Sequence, residues 1–122
     1  MNLPDGLGVT TQIYIAMGGK GGKTHRTAMG RGVALLLTGI EETGSLLGAA
    51  KGLGMAYSKA WKLVGAVEEE LGVQLIIRDG ARGSALTEEG TALLALYRKV
   101  EEVARKASDE AFAQGLEEIR LR

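Results

Sequence analysis

A chain of 122 residues with 45% apolar content is sized for one compact domain with a modest core, plus one extended element. It has no cysteine, which excludes disulfides and thiolate chemistry and fits a reducing cytoplasm as the expected location. Its formal net charge is zero, yet residues 18–32 carry Lys20, Lys23, Arg26 and Arg31 without an acid, while acids gather after Thr87, so a basic face and an acidic face can coexist. The first residues lack the basic and apolar pattern of a signal peptide, and the longest apolar stretch, residues 33–37, is far too short to span a bilayer, so no membrane partner is expected.

Residues 9–17 read VTTQIYIAM, with Gln12, Tyr14 and Ala16 alternating with Ile13, Ile15 and Met17, a strand pattern. Residues 18–23, GGKGGK, form a turn, and residues 24–29 return as a second strand of a hairpin. A strand followed by GGKGGKT is similar to the phosphate-loop pattern G-x-x-x-x-G-K-[ST], with Gly22, Lys23 and Thr24 matching its end. Met17 stands where the first glycine belongs, however, and His25, Arg26, Thr27 and Ala28 lead to Gly30 and Gly32 rather than into a helix. A basic hairpin tip is the favoured reading, and a small nucleotide-binding enzyme the lesser one. His25 is the sole histidine, without a carboxylate cluster nearby, so no metal site or cofactor is expected.

Residues 31–43 form a helix with Val33, Leu36, Leu37 and Ile40 on one stripe, stopped by Gly44. Ser45 is placed to cap the next helix, whose apolar face is Leu46, Leu47, Ala49, Ala50 and Leu53. Gly54 breaks that helix, Met55 closes the turn, and a further helix covers about residues 56–71 with Ala60, Val64, Val67 and Leu71 in phase, widened by Trp61 and Leu63. Two short helices joined through a glycine turn have the layout of a helix-turn-helix, with a core around Leu36, Ile40, Leu53, Val64 and Val67. On the outward face Tyr57 and Ser58 can donate to phosphates or base edges, and Lys59 and Lys62 can neutralise phosphates or reach guanine acceptors. Glu68, Glu69 and Glu70 come only at the far end. The plainer alternative is a helical domain with ordinary solvated charges.

Residues 73–77, VQLII, read as a strand, RDGARG at 78–83 as a turn with a strong Asp79-Gly80 signal, and residues 84–86 as the returning strand. Thr87 caps a long helix from Glu88 to about Leu116, roughly 40 Å at 1.5 Å per residue, with Gly115 marking fraying. Three helices and a hairpin are the parts of a winged helix. Arg78 and Arg82 lie on the wing, as phosphate or minor-groove contacts or as a solvated tip. Leu93, Tyr97, Val100, Ala104, Ala107 and Ala111 recur in steps of four and three, a coiled-coil seam that a second copy would cover through a two-fold axis. The alternative is that the helix folds back on the chain's own strand hairpin. The expected fold class is mainly α with small β hairpins: a strand region (1–29), a winged helix-turn-helix (30–87, with the helix pair at 45–71 and the wing at 73–86), and a long dimerisation helix with its tail (88–122).

Ala49-Ala50, Leu53, Val64, Val67-Glu68, Leu71-Gly72, Leu75, Arg78, Leu86-Thr87 and Gly90 resemble the winged helix-turn-helix domain of LysR-type transcriptional regulators. Gly44-Ser45, Ala49-Ala50-Lys51, Gly54-Met55, Tyr57 and Lys59-Ala60-Trp61 are similar to the DNA-binding domain of the molybdate-responsive ModE-type regulators. The resemblance covers about residues 11–103. It implies a bacterial or archaeal regulator, not an enzyme, that dimerises through its first and last helices and puts the second helix of the motif into the major groove. Carried over by position, the DNA-contact set is Ser45, Ala56, Tyr57, Ser58, Lys59 and Lys62, with Arg78 and Arg82 in the wing. Trp61 reads as a core anchor rather than a base reader. Ala56 departs from the serine frequent in the subgroup, and the wing loop is compact. The chain is expected to be a standalone domain without the β-barrel domains that bind molybdate, so no oxyanion site is carried over and a separately encoded effector-binding protein is an allowed partner. The expected function is sequence-specific binding of double-stranded DNA by a homodimer; the rival is a protein-interaction module without DNA binding.

Overall fold

Apolar residues at helical spacing place α1 (Arg31–Thr43) at the centre of the fold, with Val33, Ala34, Leu36, Leu37 and Ile40 all buried. The computed structural model describes residues 1–17, 26–78 and 83–122. Around α1 lie β1 (Ile15–Met17), β2 (Arg26–Met29), α2 (Leu46–Gly52), α3 (Tyr57–Leu71), β3 (Ile76–Arg78), β4 (Ser84–Leu86) and α4 (Glu88–Arg120). β1 and β2 form one antiparallel pair, β3 and β4 another with Ile76 opposite Leu86 and Arg78 opposite Ser84. The core joins Met29, the α1 stripe, Leu46, Val64, Val67, Leu75, Ile76, Leu94 and Tyr97. Among the described residues no single helix is long and apolar enough to cross a membrane.

Local chemistry sets the helix ends. Gly44 ends α1 in the left-handed conformation, its amide donating to the Ile40 carbonyl at 2.8 Å. Ser45 Oγ accepts from the Gly48 amide at 2.8 Å at the start of α2, and Thr87 Oγ1 accepts from the Gly90 amide at 2.9 Å at the start of α4. Glu88 and Glu89 then sit in the first turn of α4, where carboxylates favour the helix dipole.

Five expectations need correction. Pairing in the first hairpin begins only at Ile15, because its partner strand has four residues before the chain turns into α1. The wing strand starts at Ile76, not at residue 73, because the chain before it is tied to the end of α3. The Gly72 and Val73 amides donate to the Glu68 carbonyl, and the Leu75 amide to Glu68 Oε2 at 2.8 Å. Leu53 is 39% exposed and outside the core, since α2 stops at Gly52 and its inward stripe ends at Ala50. Leu47, counted on the apolar face of α2, is likewise exposed, lying at the edge of the buried stripe of Leu46, Ala49 and Ala50. Gly115 does not fray α4, which runs 33 residues to Arg120, about 50 Å at 1.5 Å per residue. The GGKGGK turn and His25, on which the nucleotide-loop reading depended, lie outside the described residues.

α1 and α2 cross where Gly39 meets Ala49. A Cβ at residue 39 would lie 2.6 Å from Ala49 Cβ and 2.8 Å from its Cα, so a side chain there would push the two helices apart. Gly39→Val is expected to lower stability by about 1–3 kcal/mol, read as an earlier urea midpoint. A midpoint equal to that of the parent chain would contradict this crossing.

Candidate nucleic-acid interface

The helix pair is joined by a turn that the sequence dictates locally. Gly54 has φ +65°, and the Met55 amide reaches back to the Ala50 carbonyl at 2.9 Å, so α3 leaves the turn in a fixed direction. No side chain caps the amino end of α3, where Ala56 is the N-cap. Ala56, Tyr57, Ser58, Lys59 and Lys62 are all exposed there, with Lys51 exposed near the end of α2. Ala60, Val64 and Val67 point the opposite way, into the core. The amino-terminal half of α3 thus presents hydroxyls and ammonium groups, and its first acid is Glu68 near the carboxyl end.

Glu68 belongs to the scaffold. Its Oε2 accepts from the Leu75 and Ile76 amides at 2.8 and 3.4 Å, holding the entry to the wing. Its Oε1 lies 4.0 Å from Arg78 Nη2. The Arg78 guanidinium sits over the Trp61 ring, 2.9 Å from its centroid, and Tyr57 meets the same ring edge-on at 6.2 Å. Trp61 is part-buried and packed against the core, but its contact with Arg78 was not legible: the two residues are far apart along the chain and no local pattern joins them. On the returning side of the wing, the Ser84 amide donates to the Gly44 carbonyl at 2.8 Å, bringing the wing base beside Ser45. The Ser45 oxygen is occupied as the α2 cap. Arg82 lies outside the described residues. Among the described residues no cluster of His, Cys, Asp or Glu is arranged to hold a metal ion.

A family profile described as "Bacterial regulatory helix-turn-helix protein, lysR family" matches residues 35–91, from the middle of α1 through the first turn of α4. These residues form a LysR-family helix-turn-helix domain. The chain is also similar to the HTH-type transcriptional regulator YvbU of Bacillus subtilis (strain 168), with 39% identity over 79 residues, covering 64% of this chain and 27% of YvbU. Among solved structures, it is similar to the chain in "Crystal structure of CbnR_DBD-DNA complex", with a TM-score of 0.59 and 29% identity over 70% of this chain and 95% of that one. It is similar too to CbnR, a LysR family transcriptional regulator, with a TM-score of 0.56 and 31% identity over 68% of this chain and 28% of that one. The chain therefore spans about a quarter of the length of YvbU, and its relatives are transcriptional regulators rather than enzymes.

Beyond the LysR-family domain, α4 divides the residues of the expected seam between two faces. Tyr97 is 2% exposed and its hydroxyl donates to the Ile13 carbonyl at 3.0 Å, while Leu93 is half-buried against the core. These two side chains are therefore committed to this chain's own interior, because Leu94 and Tyr97 set the phase in which α4 docks. Arg98 braces that docking by donating to Thr38 Oγ1 at 2.8 Å and to Glu41 at 3.1 Å on α1. Burial pushes the Tyr97 phenol above its ordinary pKa, the Glu101 charge adds to this, and Arg31 opposes it. Val100 and Ala107 are exposed and Ala104 is half-buried. The sequence stripe missed Leu96 and Val103, which are 53% and 60% exposed and line a shallow apolar groove with Lys99, Val100 and Ala104. Along its inner face α4 meets the segment ahead of β1, where the Ile13 carbonyl accepts from Tyr97 and Arg120 Nη2 donates to the Pro4 carbonyl at 3.2 Å.

Trp61 is the sole tryptophan, so its emission reports the stack directly. Arg78→Ala uncovers one face of the indole, and steady-state fluorescence should move to longer wavelength without a change in helical content. An unshifted spectrum would show that Arg78 does not cover the ring in solution.

Proposed function

We propose that this LysR-type domain binds double-stranded DNA as a homodimer and regulates transcription in the cytoplasm. The observation that carries the proposal is the exposed amino-terminal half of α3, where Tyr57, Ser58, Lys59 and Lys62 stand together with no acid among them. In this reading Ala56, Tyr57, Ser58 and Lys59 enter the major groove, and Lys62 and Arg78 contact the backbone. Ser45 keeps its oxygen as the α2 cap and donates its hydroxyl proton to a phosphate, and Arg82 extends the wing contact. The likeness to the chain of the CbnR DNA complex supports this reading.

The homodimer is supported by the apolar outer face of α4, now centred on Leu96, Val100 and Val103 and continuing to Ala107. A two-fold axis there would pair the α4 helices and set two recognition helices about one DNA turn apart, or a multiple of it. The finer likeness to ModE-type regulators rests on Gly44-Ser45, Ala49-Ala50-Lys51, Gly54-Met55, Tyr57 and Lys59-Ala60-Trp61.

Fluorescence anisotropy with a duplex from upstream of the gene, beside an unrelated duplex, tests the proposal. Tighter binding to the upstream duplex with a steep salt dependence is expected. Lys59→Ala should weaken binding about tenfold and flatten the slope of log K against log salt by about one, with an unchanged melting temperature. No binding of either duplex at low salt would replace this reading with a protein-interaction module. Val103→Glu should convert the dimer to monomer in sedimentation velocity, and an intact mutant dimer would remove the outer face of α4 from the interface.

A further inference from the structure

The structure assigns Trp61 a positioning role: its indole holds the Arg78 guanidinium, on the wing, in register with the recognition helix α3, and this inference rests on the DNA-binding reading above. Three observations meet at one ring. The Arg78 guanidinium carbon lies over the indole at 2.9 Å from its centroid, Tyr57 meets it in a T-shaped contact at 6.2 Å, and the part-buried indole packs against the core. The ring therefore orders one arginine on β3 and one tyrosine on α3, two residues placed independently in the DNA-contact set.

The chemistry suits an arginine. A guanidinium is planar and weakly hydrated, so it can lie on an aromatic face while the N–H groups around its rim remain available in the plane. The Arg78 side chain is still 37% exposed, which leaves it within reach of a phosphate. A free arginine would lose much rotamer freedom on binding; one already stacked has lost it in the folded protein. Glu68 completes the arrangement from the same helix. Its Oε2 fixes the Leu75 and Ile76 amides, and with them the point where the Arg78 strand begins. Its Oε1, at 4.0 Å, draws the guanidinium along α3 without a close bidentate pair that a phosphate would have to break.

The test uses the full chain and the anisotropy titration across salt concentrations. Trp61→Phe retains a ring face and should retain both the affinity and the salt slope of the parent. Trp61→Leu retains apolar bulk against the core but no platform, and should weaken binding about five- to tenfold with the slope reduced by up to one. Arg78→Gln should lose about as much, and the double variant should fall no further than either single one. Arg78→Lys, at an exposed position that leaves the core untouched, keeps the charge but not the planar stack and should also bind several-fold more weakly. It carries the test if Trp61→Leu fails to fold.

A Trp61→Leu loss with an unchanged slope, losses that multiply in the double variant, or Arg78→Lys binding like the parent would each overturn the positioning role. Those outcomes leave the parent chain binding DNA. A parent chain that binds no duplex would instead overturn the DNA-binding reading, and the positioning role with it.

Discussion

The backbone of Leu75 is the point on which the arrangement of α3, the wing and α4 depends. Leu75 is fully buried, so its amide and carbonyl cannot turn to water and must find partners inside the protein. The amide is taken by Glu68 Oε2 on α3, and the carbonyl by the Thr87 amide at 3.0 Å, at the start of α4. Gly90 lies so close over the same carbonyl that no side chain would fit. The Thr87 hydroxyl donates to the Gln74 carbonyl at 2.6 Å while accepting from the Gly90 amide. One short segment thus locks three elements together, and the direction of α3 relative to the wing follows from it.

That constraint explains how acids and an exposed basic surface share one helix. A net charge of zero says little about the field at the amino end of α3, because exposed charges beyond about 8–10 Å are largely screened at physiological salt. Glu68 is half-buried and occupied with backbone amides and Arg78, so it works as scaffold. Lys59 and Lys62 remain exposed at the other end, where the helix dipole also favours an anion.

α4 shows the same separation of roles. Its first half is held to the domain by Leu94, Tyr97 and the Arg98 contacts with α1, and the start of the chain is tied to it at Ile13 and again near its end through Pro4. A helix of this length cannot bury its whole circumference on a small domain. Leu96, Val100 and Val103 are left in water on the outer side, where burial against a matching surface would be favourable.

The helices were legible because their ends are set by local chemistry. α1 has the bounds expected from its stripe and from Gly44, and Ser45, Gly54 and Thr87 act as the caps and the turn their residue types imply. The exposed polar positions on α3 were legible for the same reason, since a 3.6-residue period separates two faces whatever surrounds them. Tertiary structure alone decided where the strands begin, which depends on the grip of Glu68 and the reach of a four-residue partner. It also decided that Leu53 lies outside the core, and which side of the α4 stripe faces inward. A periodic pattern defines a stripe, but the docking of Leu94 and Tyr97 sets its phase. The stacking of Arg78 on Trp61 belongs to that second class as well, because the register of the wing against α3 is a property of the folded chain and leaves no local signature in the sequence.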